Sequence, residues 1–336
     1  MNTTGMNAMP RRAFITTLAL GGVGASLAAV GSARGQDDQG AITEGDAAIL
    51  RFLAAAELLE TDLWQQYAEL ANGNPPFMAA LQNIDTDMPT YVTQNTNDEF
   101  SHASFLNAFL MAAHQAPVNL DAFRTLPSSQ ATGAQQTGRL TSLMHLNVDT
   151  SWYLRYRSSA NPDFGATFGQ VFDIVDRPGI PLHDGYTANQ IQAIADTAAF
   201  HFGMIEQGGT SLYPAMSVKT TSRVALRVVT NIGPTEALHF MLWNEKAGSI
   251  PPVDSGDGLV FTAPPEPAKI FPTPCTFLDQ TLPLCSVVRP TSPANVNAAG
   301  VVQFLKQTGL FFGQSPVFFR VLSQLAAAAD AARFEN

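Results

Sequence analysis

The chain is short of several things, and each shortage narrows what it can be. It has two cysteines, Cys275 and Cys285, too few for a disulfide framework or a cysteine-based zinc module. No Cys-x-x-Cys pair is present, so the chain carries no rubredoxin-like electron donor of its own. Charged residues are only 14% of the 336, well below the usual quarter, which leaves a large fraction for the interior. Basic residues are the scarcer sign, 18 against 28 acidic, for a formal charge of −10. Lacking a basic face, the protein is not expected to bind nucleic acid. Tryptophan (3) and tyrosine (6) are few beside 22 phenylalanines, which favours packed elements and excludes little. What is plentiful is apolar material, at 46% of residues, enough to exclude intrinsic disorder as the main state.

The first segment reads as an address. Arg11-Arg12 precede a weakly apolar run, rich in Gly and Ala, that ends at Gly31-Ser32-Ala33. This resembles the bacterial twin-arginine export signal, with cleavage expected after Ala33. The run is too short and too rich in glycine for a membrane anchor, so no stable span is expected once the signal is removed. Export places the mature chain in the periplasm or outside the cell, where Cys275 and Cys285 are a candidate disulfide. This route carries folded proteins, often with a cofactor already loaded, so a metal or organic cofactor is expected.

Along the mature chain the pattern is helical. Gly40 to Ala71 carries Leu53, Ala56, Leu63, Tyr67 and Leu70 at helical spacing, with Thr43 as N-cap, Asp46 three residues on, and Asn72-Gly73 as a stop. Further helices are predicted from about Thr86 to His114, Arg139 to Arg157, Thr187 to about Tyr213, and Val218 to Ala247. Gly208-Gly209 weaken the second half of the third of these, and Pro234 is placed to kink the fourth or start a new turn. From Ser249 to Asn295 prolines are dense and no periodicity survives. Two closing helices are predicted over 301–312 and 317–334. The expected class is all-α: residues 1–33 as signal, a four-helix bundle over 42–247 with an extra helix in its long crossover, and a Pro-rich, partly helical extension over 248–336.

Two of the six histidines follow a glutamate by three residues, in Glu99-Phe100-Ser101-His102 and Glu236-Ala237-Leu238-His239. Chance alone would give roughly 0.2 such pairs. Residues i and i+3 share a helix face, so each pair projects a carboxylate and an imidazole together. Both pairs lie among apolar residues, where a carboxylate needs a cation to offset its desolvation. Glu57 and Glu60 on the first helix, and Glu206 in Phe202-Gly203-Met204-Ile205-Glu206, share that setting. Four helices thus supply Glu, Glu-x-x-His, Glu and Glu-x-x-His, the inward-facing set of a di-metal carboxylate bundle.

On these residues the chain resembles the ferritin-like superfamily, specifically its exported single-domain members, over about residues 42–247. The resemblance implies two iron or manganese ions bridged by Glu99 and Glu236. His102 and His239 would bind one ion each, Glu206 would be a terminal ligand, and Glu60 or Glu57 would complete the set. Glu60 is favoured because it falls on the stripe of Leu53, Ala56 and Leu63. His145 or Asp149 is an alternative contribution from a third helix, which would leave Glu206 one shell out. Trp64 and Tyr67 are candidates for the layer behind the ligands. Asp98 is expected to point about 100° away from Glu99 into solvent.

The implied chemistry is redox work on peroxide or oxygen, or oxidation of ferrous iron, of an oxidase or catalase-like kind. The alternative is a metal-poor ferritin-like protein for stress protection or binding, without catalysis. Iron storage in a cage fits less well, because some 90 residues follow the bundle. A homodimer is common among proteins of this look, although no residue demands one.

Overall fold

The computed structural model describes residues 42–156, 168–265, 274–287 and 296–333. The expected export segment, residues 1–33, lies outside them. Among the described residues the regular structure is helical apart from two small two-stranded sheets, as the all-α expectation requires.

The first helix, α1 (Glu44–Gly73), begins on the expected cap: Thr43 accepts from the Asp46 amide and the Asp46 carboxylate accepts from the Thr43 amide. A helix missed in the sequence follows, α2 (Pro75–Ile84), with Asn74 as N-cap and Pro75-Pro76 in its first turn. Then come α3 (Met88–Ala112), a long crossover, α5 (Ala188–Ser217) and α6 (Arg223–Ala247). Thr187 and Gln190 form a second capping box at the start of α5. Gly208-Gly209 do not interrupt α5, and both Pro214 and Pro234 sit within continuous helices. The bundle is made by α1 packed along α3 and α5 packed along α6.

The crossover differs from expectation. The helix predicted over 139–157 is present only as the single turn α4 (Trp152–Arg155). Leu140, Leu143 and Leu146 are all fully buried, so their spacing reported burial correctly. Their backbone groups, however, are taken by tertiary partners. The amides of Leu140 and Thr141 donate to the Asp62 carboxylate of α1 at 3.0 and 2.9 Å, and Leu143 O accepts from Gly179 N. Residues Leu146–Val148 become β1, paired antiparallel with β2 (Ile174–Arg177). A segment whose amides are satisfied from outside has no need of i→i−4 bonds.

Beyond the bundle, β3 (Val253–Asp254) pairs with β4 (Val260–Phe261), and Cys275 and Cys285 face each other across an isolated antiparallel bridge. The structure has both cysteines as free thiols. The closing helices are α7 (Ala298–Gln307) and α8 (Pro316–Ala331). Asp330 of α8 accepts from the Ala298 and Ala299 amides at the start of α7, and α8 lies along α1. One apolar core surrounds Trp64, Tyr67, Phe202 and Trp243, and a second joins Leu50 and Leu53 of α1 to Ala326 and Ala329 of α8. Among the described residues no helix is long and apolar enough to cross a membrane.

Candidate metal centre

The bundle interior brings six of the chemically active side chains together. Glu57, Glu99, His102 and Glu236 each offer an atom within 4.8 Å of the others, and so do Glu99, Glu206, Glu236 and His239. Glu99 and Glu236 are common to both groups. Each histidine reaches the glutamate of the other motif: His102 Nδ1 lies 3.2 Å from Glu236 Oε1, and His239 Nδ1 lies 3.0 Å from Glu99 Oε1. His102 Nδ1 also stands 3.1 Å from Glu99 Oε2 and 3.4 Å from Glu57 Oε2, and His239 Nδ1 3.4 Å from Glu206 Oε2.

These approaches exceed what hydrogen bonding can use. An imidazole Nδ1 carries at most one proton, yet His102 Nδ1 sits beside three carboxylates. Among the described residues Glu57 Oε2, Glu206 Oε2, both oxygens of Glu236 and His239 Nδ1 are buried without a hydrogen bond. Orphaned lone pairs converging on two points are a costly arrangement unless cations occupy those points. The donors are hard carboxylates with one imidazole per point, a set suited to iron or manganese rather than a soft-ligand metal. The residues present therefore fit a di-metal site.

Without cations the cluster holds its protons tightly. Burial, and then the neighbouring carboxylates, push Glu99 well above the ordinary carboxylate range, and the same causes push Glu236 up to about 8. For the histidines burial acts downward, but contacts with the carboxylates prevail and raise His102 to about 12 and His239 to about 10.

A second layer orients the ligand set. Asn95, one turn before Glu99, donates through Nδ2 to Glu99 Oε1 at 2.7 Å and to Glu206 Oε1 at 2.9 Å. Its own carbonyl accepts from Trp243 Nε1 at 2.8 Å, which fixes the amide's orientation. Tyr213 donates to Glu57 Oε1. Gly209 lets α5 and α6 close at this level: a Cβ there would collide with Glu236 Oε2 and stand 3.1 Å from its Cδ. Asp98 is half exposed, in line with the solvent expectation, and in addition places Oδ2 3.1 Å from His239 Nε2, the carboxylate–histidine arrangement that fixes a metal-binding imidazole.

Other sequence candidates fall elsewhere. Glu60 is in neither group; its Oε2 is buried without a hydrogen bond among the described residues, beside a cavity of about 30 Å³ roofed by Val301, Phe304 and Leu305 of α7. Glu57 stands where Glu60 was favoured. His145 binds Asp176, and Asp149 is engaged by Ser151, Arg155 and Gln170, so neither belongs to the cluster and the alternative third-helix contribution is overturned. Tyr67 bonds His201 Nδ1 at 2.9 Å, and Trp64 stacks on Trp243, one layer behind Asn95. Asn95 and Tyr213 were missed. Their only signal in the sequence is spacing: Asn95 is four residues before Glu99 and Tyr213 seven after Glu206, each on its ligand's face.

A family model described as a ferritin-like domain matches residues 45–248. The chain belongs to the ferritin-like domain family. That span takes in all four helices of the ferritin-like bundle and all six clustered residues. Neither the curated proteins nor the solved structures give a match to the chain.

Outside the cluster, α3 and α6 enclose an open space. They meet at Asn95–Trp243, Asp98–His239 and His102–Glu236, and toward the C-terminus of α3 they line a cavity of about 610 Å³. Phe105 and Phe109 of α3 and Val228 and Ile232 of α6 line it, together with His102.

Proposed function

We propose that this ferritin-like protein is a di-metal carboxylate protein, exported by the twin-arginine route, that acts on peroxide or oxygen or oxidises ferrous iron. Convergence of unbonded carboxylate and imidazole atoms from four helices carries this reading. Glu99 and Glu236 would be shared by two iron or manganese ions. Glu57 and His102 would complete one position, Glu206 and His239 the other. The four carboxylates then balance two divalent charges, which a buried site requires. When bound, the metal pair would supply two-electron redox chemistry to a dioxygen-derived substrate.

The chain's own residues do the rest. Asn95 holds Glu99 and Glu206 in register, so the set is ordered before any ion arrives. Asp98 fixes the ring plane of His239 and directs its Nδ1 inward. Tyr213 offers a proton at Glu57 Oε1, where carboxylate charge can be adjusted. The aromatic layer of Trp64, Phe202 and Trp243 excludes water from one side.

The test is to load the mature protein separately with iron(II) and manganese(II). Peroxide loss, oxygen uptake or release, and ferrous oxidation are then followed beside the Glu236→Ala variant. Turnover with one metal that disappears in the variant supports the reading. Full metal loading with no turnover in any of the three assays favours the non-catalytic alternative.

A further inference from the structure

Each Glu-x-x-His motif turns its histidine inward to the other motif's glutamate, but the two differ in their outward contacts. His239 Nε2 meets Asp98, which immediately precedes Glu99 on the other motif. The reciprocal position, immediately before Glu236, is Thr235. His102 is 8% exposed, and among the described residues its Nε2 has no hydrogen-bond partner. Its Nδ1 edge faces Glu57, Glu99 and Glu236, so the opposite edge of the ring is the one it presents to the α3–α6 cavity.

That cavity is built for an organic molecule rather than a bare anion. Phe105, half exposed, stacks with Phe109 at 6.2 Å between centroids, and Val228 and Ile232 also line the cavity. Arg227 lies on the rim, and no carboxylate pairs with it among the described residues, so the entrance is locally positive on a chain of net charge −10.

We infer that this groove binds an amphipathic monocarboxylic acid whose head accepts a hydrogen bond from His102 Nε2–H, supplying in trans the carboxylate that Asp98 gives His239. The alkyl or aryl body lies along Phe105, Phe109, Val228 and Ile232. The ligand completes the outer layer of one metal position, so acid and metal strengthen each other's binding. This rests on the metal reading only in that reciprocal coupling; the groove and the unpartnered nitrogen stand without it.

The test uses the full mature protein and titration calorimetry with octanoate, hexanoate and 1-octanol, with metal content measured on the same samples. Octanoate is expected to bind at least about tenfold more tightly than octanol, because the ionised head makes the charge-assisted bond. Each buried methylene should add about fourfold, so hexanoate should be weaker by roughly fifteenfold. Thr235→Asp builds the missing carboxylate into α6; it should weaken octanoate at least about tenfold while metal content is kept. Val228→Trp fills the groove and should abolish binding, which keeps the proposal testable if the first variant does not fold. Equal affinity for octanoate and octanol, or an unchanged octanoate affinity in both variants, overturns the proposal. So does a stable dimer in sedimentation that buries Phe105. Two metals per chain with no octanoate binding overturns the groove alone. Octanoate binding to a chain that takes up no metal overturns the metal reading and leaves the groove.

Discussion

Replacing two adjacent glycines with alanine should have opposite consequences. Gly208 and Gly209 both lie inside α5, where glycine costs about 1 kcal/mol relative to alanine. A Cβ at Gly208 meets nothing within 4 Å. Gly208→Ala should therefore raise stability by about 0.5–1 kcal/mol, or about 1–3 °C in melting temperature for a domain of this size, with metal content unchanged. At Gly209 the same propensity gain is offset by a collision with the Glu236 carboxylate, and overpacking of this kind costs about 1–3 kcal/mol. Glu236 is shared by both metal groups, so displacing it reaches both positions. Gly209→Ala should retain less than about half of the wild-type metal, with a melting temperature unchanged or lower. The assay is metal analysis and calorimetry on the two variants side by side. Wild-type metal in Gly209→Ala, or metal loss in Gly208→Ala, would refute the placement of Glu236 against α5.

Further expectations concern single residues and pH. Asp98→Asn removes the carboxylate from His239 Nε2 and should weaken metal binding about 10–100-fold without unfolding the bundle, read by competition with a chelator. Asp62→Ala strands the buried amides of Leu140 and Thr141 and leaves Arg124 unpaired at that carboxylate; it should cost about 3 kcal/mol in urea denaturation and leave the metal donors intact. In the metal-free protein Glu236 and His239 hold protons more tightly than in the unfolded chain, so the stability they contribute is present at low pH and is lost as pH rises. Loss runs from 4.5 to about 8 for Glu236 and from 6.5 to about 10 for His239. The melting temperature of metal-free protein should therefore fall between pH 5.5 and 8.5, while metal-loaded protein, whose ligands are already deprotonated, changes less. A rise in the metal-free form over that range would contradict the cluster's electrostatics.

How much was legible in the sequence follows the physics of each signal. The caps at Thr43 and Thr187 are local, and α1 and α5 start where those residues put them. The Glu-x-x-His pairs are local too, since i,i+3 spacing holds on any helix. The choice between Glu57 and Glu60 is not local. Helix α1 is covered by α3 on one side and by α8 on another, so an apolar stripe no longer identifies the face toward the ligands. Asp98 was only partly legible for a related reason: 100° from Glu99 leads to solvent, where its side chain is half exposed, but here that direction also leads to His239 of α6. The crossover misled because buried leucines at helical spacing can also line an irregular segment whose amides bind Asp62.

Metal content by mass spectrometry, on protein purified without chelator, tests the di-metal reading most directly, with Glu57→Ala and Glu60→Ala run in parallel. About two iron or manganese ions per chain are expected in the wild type, with marked loss in Glu57→Ala and near-wild-type content in Glu60→Ala, because only Glu57 lies in the cluster. Less than about a tenth of an equivalent in folded wild-type protein, or loss in Glu60→Ala but not in Glu57→Ala, would contradict it.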